Sequence, residues 1–372
     1  MAGRYTPRRM PFLVISFLAS LLVALVLIHS AERHGHRSAD SDLEGPQKFH
    51  SRPVPRIGGI AVFVAILCGA CLAQFSDDGD SHLIWLLITA SLPTFVFGLA
   101  EDLTKSVSPR RRLFFTAVSA GLAIFLLGGV IHRTTIPGID HLIAMSPFAI
   151  ALTVLVVTGV SNAINIIDGF NGLASMCVLM MVASIGYVAF QVGDSFVVTA
   201  GLITIGAVLG FFVWNFPAGL IFLGDGGAYL IGFLLAELSV LLLARNAGVS
   251  PMFPLLLCAY PIFETIFTMY RRKFVRGVPT AAPDGIHLHT LIHRRVMRLA
   301  VGVDQERRQT ARNSMTSPYL WVLCLMSVIP SVLWWDNTAA LTGFLFLFMA
   351  SYLLLYWSIV RFKTPKWLVF RR

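Results

Sequence analysis

The stretch Ser161–Ser175, SNAINIIDGFNGLAS, lies between two apolar runs, Ile150–Val160 and Cys177–Ala189. Successive runs of this kind place a chain in a membrane. The junction nevertheless carries Asn162, Asn165, Asp168 and Asn171. At about 100° per residue, Asn162, Asn165, Asp168, Gly169 and Gly172 fall within roughly a third of a helix's circumference. They form a polar, small-residue strip on an apolar rod. An ionisable residue at such a place marks a functional site; the other reading is a short wet loop just beyond the helix end.

The whole chain favours the membrane. Of its 372 residues, 56% are hydrophobic and 13% charged, with a mean hydropathy of +0.76. Soluble domains carry roughly twice that share of charge. No strand-like alternation is present, and helices satisfy their own backbone in lipid. The expected fold is all-α, a polytopic membrane bundle. Spans are expected near 11–29, 57–75, 82–100, 113–131, 143–163, 172–192, 196–214, 228–245, 252–270, 318–335 and 339–360, eleven in all. The first follows Arg8 and Arg9 but has no clean small-residue cleavage site, so it reads as a retained helix. Cys68, Cys71, Cys177, Cys258 and Cys324 all lie in apolar runs and read as small hydrophobes.

Loops then alternate between two sides. One side holds 30–56, 101–112, 164–171, 215–227, 271–317 and the tail from 361. It gathers most of the lysines and arginines, ten of them between Arg271 and Arg312. The positive-inside rule makes this side cytoplasmic, with Arg4, Arg8 and Arg9 the discordant residues. The net charge of +10 thus belongs to one membrane face and its anionic headgroups, and no nucleic-acid partner is expected.

Five polar clusters share that side. In Gly45–Gly59, GPQKFHSRPVPRIGG, Pro53 and Pro55 stiffen a strip bearing Lys48, His50, Arg52 and Arg56, cations suited to phosphate. Glu101 and Asp102 are adjacent carboxylates, suited to a divalent metal or to a base beside one. The strip at Asn162–Asn171 is the third. In Trp214–Ala228, WNFPAGLIFLGDGGA, Asp225 sits among glycines with room for an ion and a phosphate, or caps the next helix. Asp284–Arg298, DGIHLHTLIHRRVMR, holds His287, His289, His293, Arg294 and Arg295, which read better as a polyphosphate clamp than as a zinc site. No Walker loop or GxGxxG is present. The equipment is that of metal-assisted chemistry on phosphates.

In this order, PVPRIGG, GLAEDL with its basic run, NAINIIDGFNGLA, NFPAGLIFLGDGG and the HLH segment resemble the polyprenyl-phosphate N-acetylhexosamine-1-phosphate transferases of glycosyltransferase family 4. The resemblance covers about Gly45–Arg295. It treats the chain as one domain, with a catalytic core near 45–298, then two further helices and a basic tail. It implies transfer of a sugar 1-phosphate from a UDP-N-acetylhexosamine to a polyprenyl phosphate, with release of UMP. Mg²⁺, or Mn²⁺ in its place, would assist. It implies a multi-pass protein of the bacterial inner membrane with a cytoplasmic site, initiating a cell-surface polysaccharide such as O-antigen, and it admits a homodimer.

Residue by residue, Glu101 and Asp102 stand at the family's Asp-Asp pair, with Asp102 as base. Asp168 stands in its NxxDGxDG motif and Asp225 at its metal carboxylate. His287 and His289 stand in its histidine motif. Glu101, Asn171 and Thr290 depart from the pattern, the first two at positions where the family has Asp. The lost charge at Asn171 leads to the expectation that Asn171→Asp lowers the Mg²⁺ requirement. A secondary transporter is the rival from another class, but polar residues gather at one face and no path across is visible. An inactive homologue is the other rival, opposed by the retention of Asp102, Asp168 and Asp225.

Overall fold

In lipid, a helix gains little from hiding apolar side chains and associates instead through close packing, so small residues decide which helices meet. The computed structural model describes residues 6–34, 54–75, 80–275, 277, 286–297 and 306–361. Every regular element among them is helical. In chain order these are α1 (Thr6–His34), α2 (Gly58–Gln74), α3 (Ser81–Thr104), α4 (Pro109–Leu127) and α5 (Pro137–Ile143). They continue with α6 (Ser146–Ile167), α7 (Leu173–Val192), α8 (Ser195–Asn215) and α9 (Gly224–Arg245). Then come α10 (Met252–Leu257), α11 (Ala259–Tyr270), α12 (Leu288–Leu291), α13 (Glu306–Leu333) and α14 (Thr338–Val360). One π-helical turn extends α11 over Arg271–Val275, and another extends α12 over Ile292–Met297.

Eight described helices are long and apolar enough to cross a membrane. The other three expected spans fall on α2, a shorter apolar helix of 17 residues, on α4, which opens with Arg110–Arg112, and on the broken pair α10 and α11. Helix α13 begins at Glu306, well before the expected span at 318–335.

Helix α9 is the axis of the bundle. Its most apolar window is 94% buried, against 17% for α14 at the lipid edge. It packs on α2, α3, α4, α6, α7 and α8. Close approach explains this: a Cβ on Gly226 would lie 2.8 Å from the backbone nitrogen of Leu99 on α3, and one on Gly232 would lie 2.8 Å from Cα of Ser161 on α6.

The two ends of the bundle differ. At one, Arg9 donates to the Ser195 carbonyl at 2.9 Å and Arg245 to Asp194 at 2.8 Å. Arg133 donates to the carbonyls of Leu243 and Asn246. These contacts clasp α1, α8 and α9 together and place Arg9 opposite the polar clusters, so its side agrees with the alternation read from the loops. At the other end the segments at 54–59, 101–112, 165–171, 215–225, 287–290 and 313 converge on one cavity.

Candidate active site

The cavity forms where the segment at 54–59 lies along the loop before α9. Phe222 N–H donates to the Pro55 carbonyl at 2.9 Å. Gly58 and Gly59 N–H donate to the carbonyls of Phe222 and Leu223, also at 2.9 Å. This pairing carries Arg56 to the entrance of α9. Gly224 there has φ +74°, and a Cβ on it would strike the Arg56 carbonyl and the Asp102 carboxylate. A glycine is required on both grounds. The resulting cavity has a volume of about 400 Å³, and Arg56, Arg112, Asn165, Asp168, Asn171, Asn215, Asp225, His287, His289 and Asn313 are in its wall.

Asp225 enters the wall from the first turn of α9 and is held by the Arg112 guanidinium of α4. Arg112 also lies over the Tyr229 ring, 5.8 Å from its centroid. Tyr229 in turn donates to Asn162 at 3.0 Å. Asn162 therefore supports the wall from behind, while Asn165 reaches it.

Asp168 follows the last residue of α6, at the point where the helix gives way to a turn. The expected single strip is thus divided: Asn162 and Asn165 are helical, Asp168 and Gly169 are in the turn, and Gly172 is left-handed with φ +71°. Burial pushes the Asp168 carboxyl up to about 7. Arg56 opposes that shift, and the negative charges of Asp225 and Asp102 add to it.

Glu101 and Asp102 do not act as one unit. Neighbours on a helix diverge by about 100°. Glu101 accepts from Val107 N–H at 2.7 Å and closes the turn into α4. Asp102, 5% exposed, accepts from Asp225 N–H and Gly226 N–H, both at 2.8 Å. Both its oxygens tie the end of α3 to the start of α9, satisfying helix donors that would otherwise be orphaned. Neither side chain is in the cavity wall among the described residues.

Asn171 is buried, and its amide donates to the Pro217 carbonyl at 3.1 Å and to Ser314 Oγ at 3.3 Å. Its backbone N–H donates to Asn313 at 2.9 Å, and its carbonyl accepts from Ser317 at 2.6 Å. A carboxylate at 171 would lose both amide bonds and face a carbonyl oxygen. Asn171→Asp is therefore expected to destabilise the protein by roughly 1–3 kcal/mol, with the divalent-ion requirement of turnover unchanged. Thermal unfolding beside an ion titration checks this. A lowered ion requirement at unchanged melting temperature would restore the expectation drawn from the missing charge.

His287 and His289 stack, with ring centroids 5.0 Å apart. Both line the cavity with Thr290. Burial, and secondarily the charge of His287, drive His289 down to about 3 against the pull of Glu264, so His289 is a neutral imidazole. Arg295 donates to the carbonyls of Ile359 and Val360 at 2.7 Å, capping the end of α14 rather than entering the wall. Arg294 is exposed and is not in the wall either. Lys48, His50 and Arg52 lie outside the described residues.

Four participants were not singled out from sequence. Arg112 was one basic residue in a run of three. Asn215 donates to the Ile221 carbonyl at 2.8 Å and accepts from Gly172 N–H at 2.6 Å, joining two of the clusters. Asn313 comes from α13, beyond the expected core. Glu264 is buried on α11 and was passed over as one acid in an apolar run.

Two kinds of comparison bear on this arrangement. Residues 84–243 match the family described as glycosyl transferase family 4. A Bacillus subtilis protein named as a probable undecaprenyl-phosphate N-acetylglucosaminyl 1-phosphate transferase is 28% identical over 282 residues, 76% of this chain and 77% of that one. A Thermotoga maritima undecaprenyl-phosphate alpha-N-acetylglucosaminyl 1-phosphate transferase is 29% identical over 257 residues, 68% of this chain and 73% of that one. A phospho-N-acetylmuramoyl-pentapeptide-transferase of Oceanobacillus iheyensis is 27% identical over 242 residues, 62% and 74% of the two chains.

Proposed function

We propose, from this site and from the match of residues 84–243 to glycosyl transferase family 4, that the chain transfers an N-acetylhexosamine 1-phosphate from a UDP-sugar to a polyprenyl phosphate, releasing UMP. The observation that carries the reading is one cavity, at one end of a lipid-embedded bundle, walled by two carboxylates, two guanidinium groups and a histidine pair. A nucleotide sugar fits such a polar end, and an isoprenoid phosphate can arrive beside it through lipid. We place this end in the cytoplasm of a bacterial inner membrane, because the loops that carry Arg56, Arg112 and the histidine pair are the basic ones of the sequence.

In the reaction, an oxygen of the lipid phosphate attacks the phosphorus that bears the sugar. The bond from that phosphorus to the bridging oxygen breaks, and UMP leaves with its electron pair. Arg56 and Arg112 supply countercharge where two anions must meet. Asp168, the second carboxylate of the cavity wall, is the group there that can take a proton from the lipid phosphate at its carboxylate oxygen. Asp102 was the sequence's candidate for that base, but its oxygens are engaged with α9, so its part is to fix Asp225. Holding both phosphates in one cavity supplies much of the rate by proximity.

The donor set fits a magnesium ion. Among the described residues no three His, Cys, Asp or Glu side chains converge on one point. Magnesium usually takes only one or two protein carboxylates, completing its shell with phosphate and water. Asp225 is the one in the wall that the proton transfer leaves free. A magnesium ion held there supplies neutralisation of the pyrophosphate and of the departing UMP.

The test uses membranes, undecaprenyl phosphate and a panel of UDP-N-acetylhexosamines, with the lipid product read by mass. A lipid-linked sugar phosphate and stoichiometric UMP are expected from inverted vesicles, and none from sealed right-side-out spheroplasts. No product from any sugar in detergent-solubilised protein would overturn the activity. Product from intact spheroplasts would overturn the orientation alone.

A further inference from the structure

Glu264 lies on α11, 0% exposed and outside the cavity wall. A buried carboxylate survives only when its oxygens are matched by donors. Here the donors come from two elements. His287 Nδ1 lies 3.1 Å from Oε1, and Leu288 N–H donates to the same oxygen at 3.1 Å. Tyr352 of α14 donates its hydroxyl to Oε2 at 2.6 Å. Thr268, one turn along α11, meets His287 Nδ1 at 3.2 Å.

These contacts fix more than the fold. An imidazole has two nitrogens, and the partner of one decides what the other can do. With Nδ1 turned to Glu264, Nε2 is the nitrogen left to face a ligand, and His287 is in the cavity wall. The Leu288 N–H bond further pins the backbone at the start of α12, so both the ring and the turn that carries it are set by one carboxylate.

We propose that Glu264 is a positioning residue for the nucleotide-sugar phosphates: it holds the His287 ring with Nε2 presented to the pyrophosphate. This rests on the phosphate-binding reading of the cavity. Tyr352 braces the carboxylate in turn, so α14 takes part in setting the His287 ring.

The experiment measures uridine diphosphate binding to the purified full-length protein by calorimetry, with transfer kinetics alongside. Glu264→Gln is expected to weaken binding about tenfold and to raise KM for the nucleotide sugar similarly, with kcat reduced less than about threefold. Glu264→Asp, which keeps the charge, should recover affinity to within about threefold of wild type. In a His287→Gln background, Glu264→Gln should add little, because the residue it positions is already gone. Tyr352→Phe keeps the carboxylate and removes one brace. It serves if the Gln variant does not fold, with about a threefold loss of affinity expected. A purely structural role for Glu264 would lower kcat through loss of active protein at wild-type KM, and that outcome overturns the proposal. So does unaltered affinity in Glu264→Gln, or, where that variant does not fold, in Tyr352→Phe. Wild-type protein that binds no uridine diphosphate would take down the parent reading, and this proposal with it.

Discussion

Asp225→Asn is expected to abolish transfer while leaving the protein folded. Its side chain is in the cavity wall and meets Arg112, whereas its backbone N–H, donated to Asp102 at 2.8 Å, is what the fold uses. An amide keeps the shape and some hydrogen bonding to the guanidinium, so the melting temperature should move by only a few degrees. The lost charge is a different matter. A carboxylate that brings a metal to phosphate contributes several kcal/mol to the transition state, and a loss of about 3 kcal/mol is already a rate drop of more than a hundredfold. Turnover by the purified variant, beside its elution profile and unfolding curve, settles the point. Retention of a tenth of wild-type activity would exclude Asp225 from the essential set.

Asp102→Asn should fail in another way. The carboxylate accepts two backbone N–H bonds from the start of α9. An amide can accept only one of them and turns its own N–H₂ group toward the second. A buried donor left unmatched costs about 1–3 kcal/mol, and the lost charge-assisted bonds add to that. A total near 3 kcal/mol lowers the melting temperature by roughly 4 °C in a chain of this length. Activity should fall with it by at least about a hundredfold, since Asp225 and Arg56 are both positioned by this junction. A variant that is inactive yet melts like wild type would return Asp102 to the role of proton acceptor.

The contrast between these two aspartates shows what could be read before the structure. The class of fold and the loops that meet were legible, because hydropathy and basic residues report on the bilayer directly. The place of Asp225 was legible too: it enters the cavity wall from the first turn of α9. The pairing of Glu101 with Asp102 misled: adjacency in sequence means divergence on a helix, and only the packing of α3 on α9 shows where each points. Asn171 was read by its charge deficit, whereas its amide protons are what the neighbouring α13 requires. Asn313 carried no signal, being one polar residue in the stretch ARNSMTS. Glu264 did carry one, an acid inside the apolar run PIFETIF, and the rule that flags Asp168 flags it as well. Its partner, though, is 88 residues away on α14, and no spacing rule connects them.

The route by which α13 and α14 brace the cavity sets a timetable for the nascent chain. When synthesis has passed Asp225, the carboxylates exist, but only Pro217 and Asn215 hold the loop at Asn171–Gly172, and the turn at His287 has yet to be made. The first is secured by Asn313, Ser314 and Ser317. The second is secured through Glu264 by Tyr352, and through Arg295 by carbonyls 359 and 360. The cavity is therefore fully braced only once the ribosome has translated beyond residue 360 and α14 is in place. Full affinity for the nucleotide sugar then becomes a sign that membrane integration has finished.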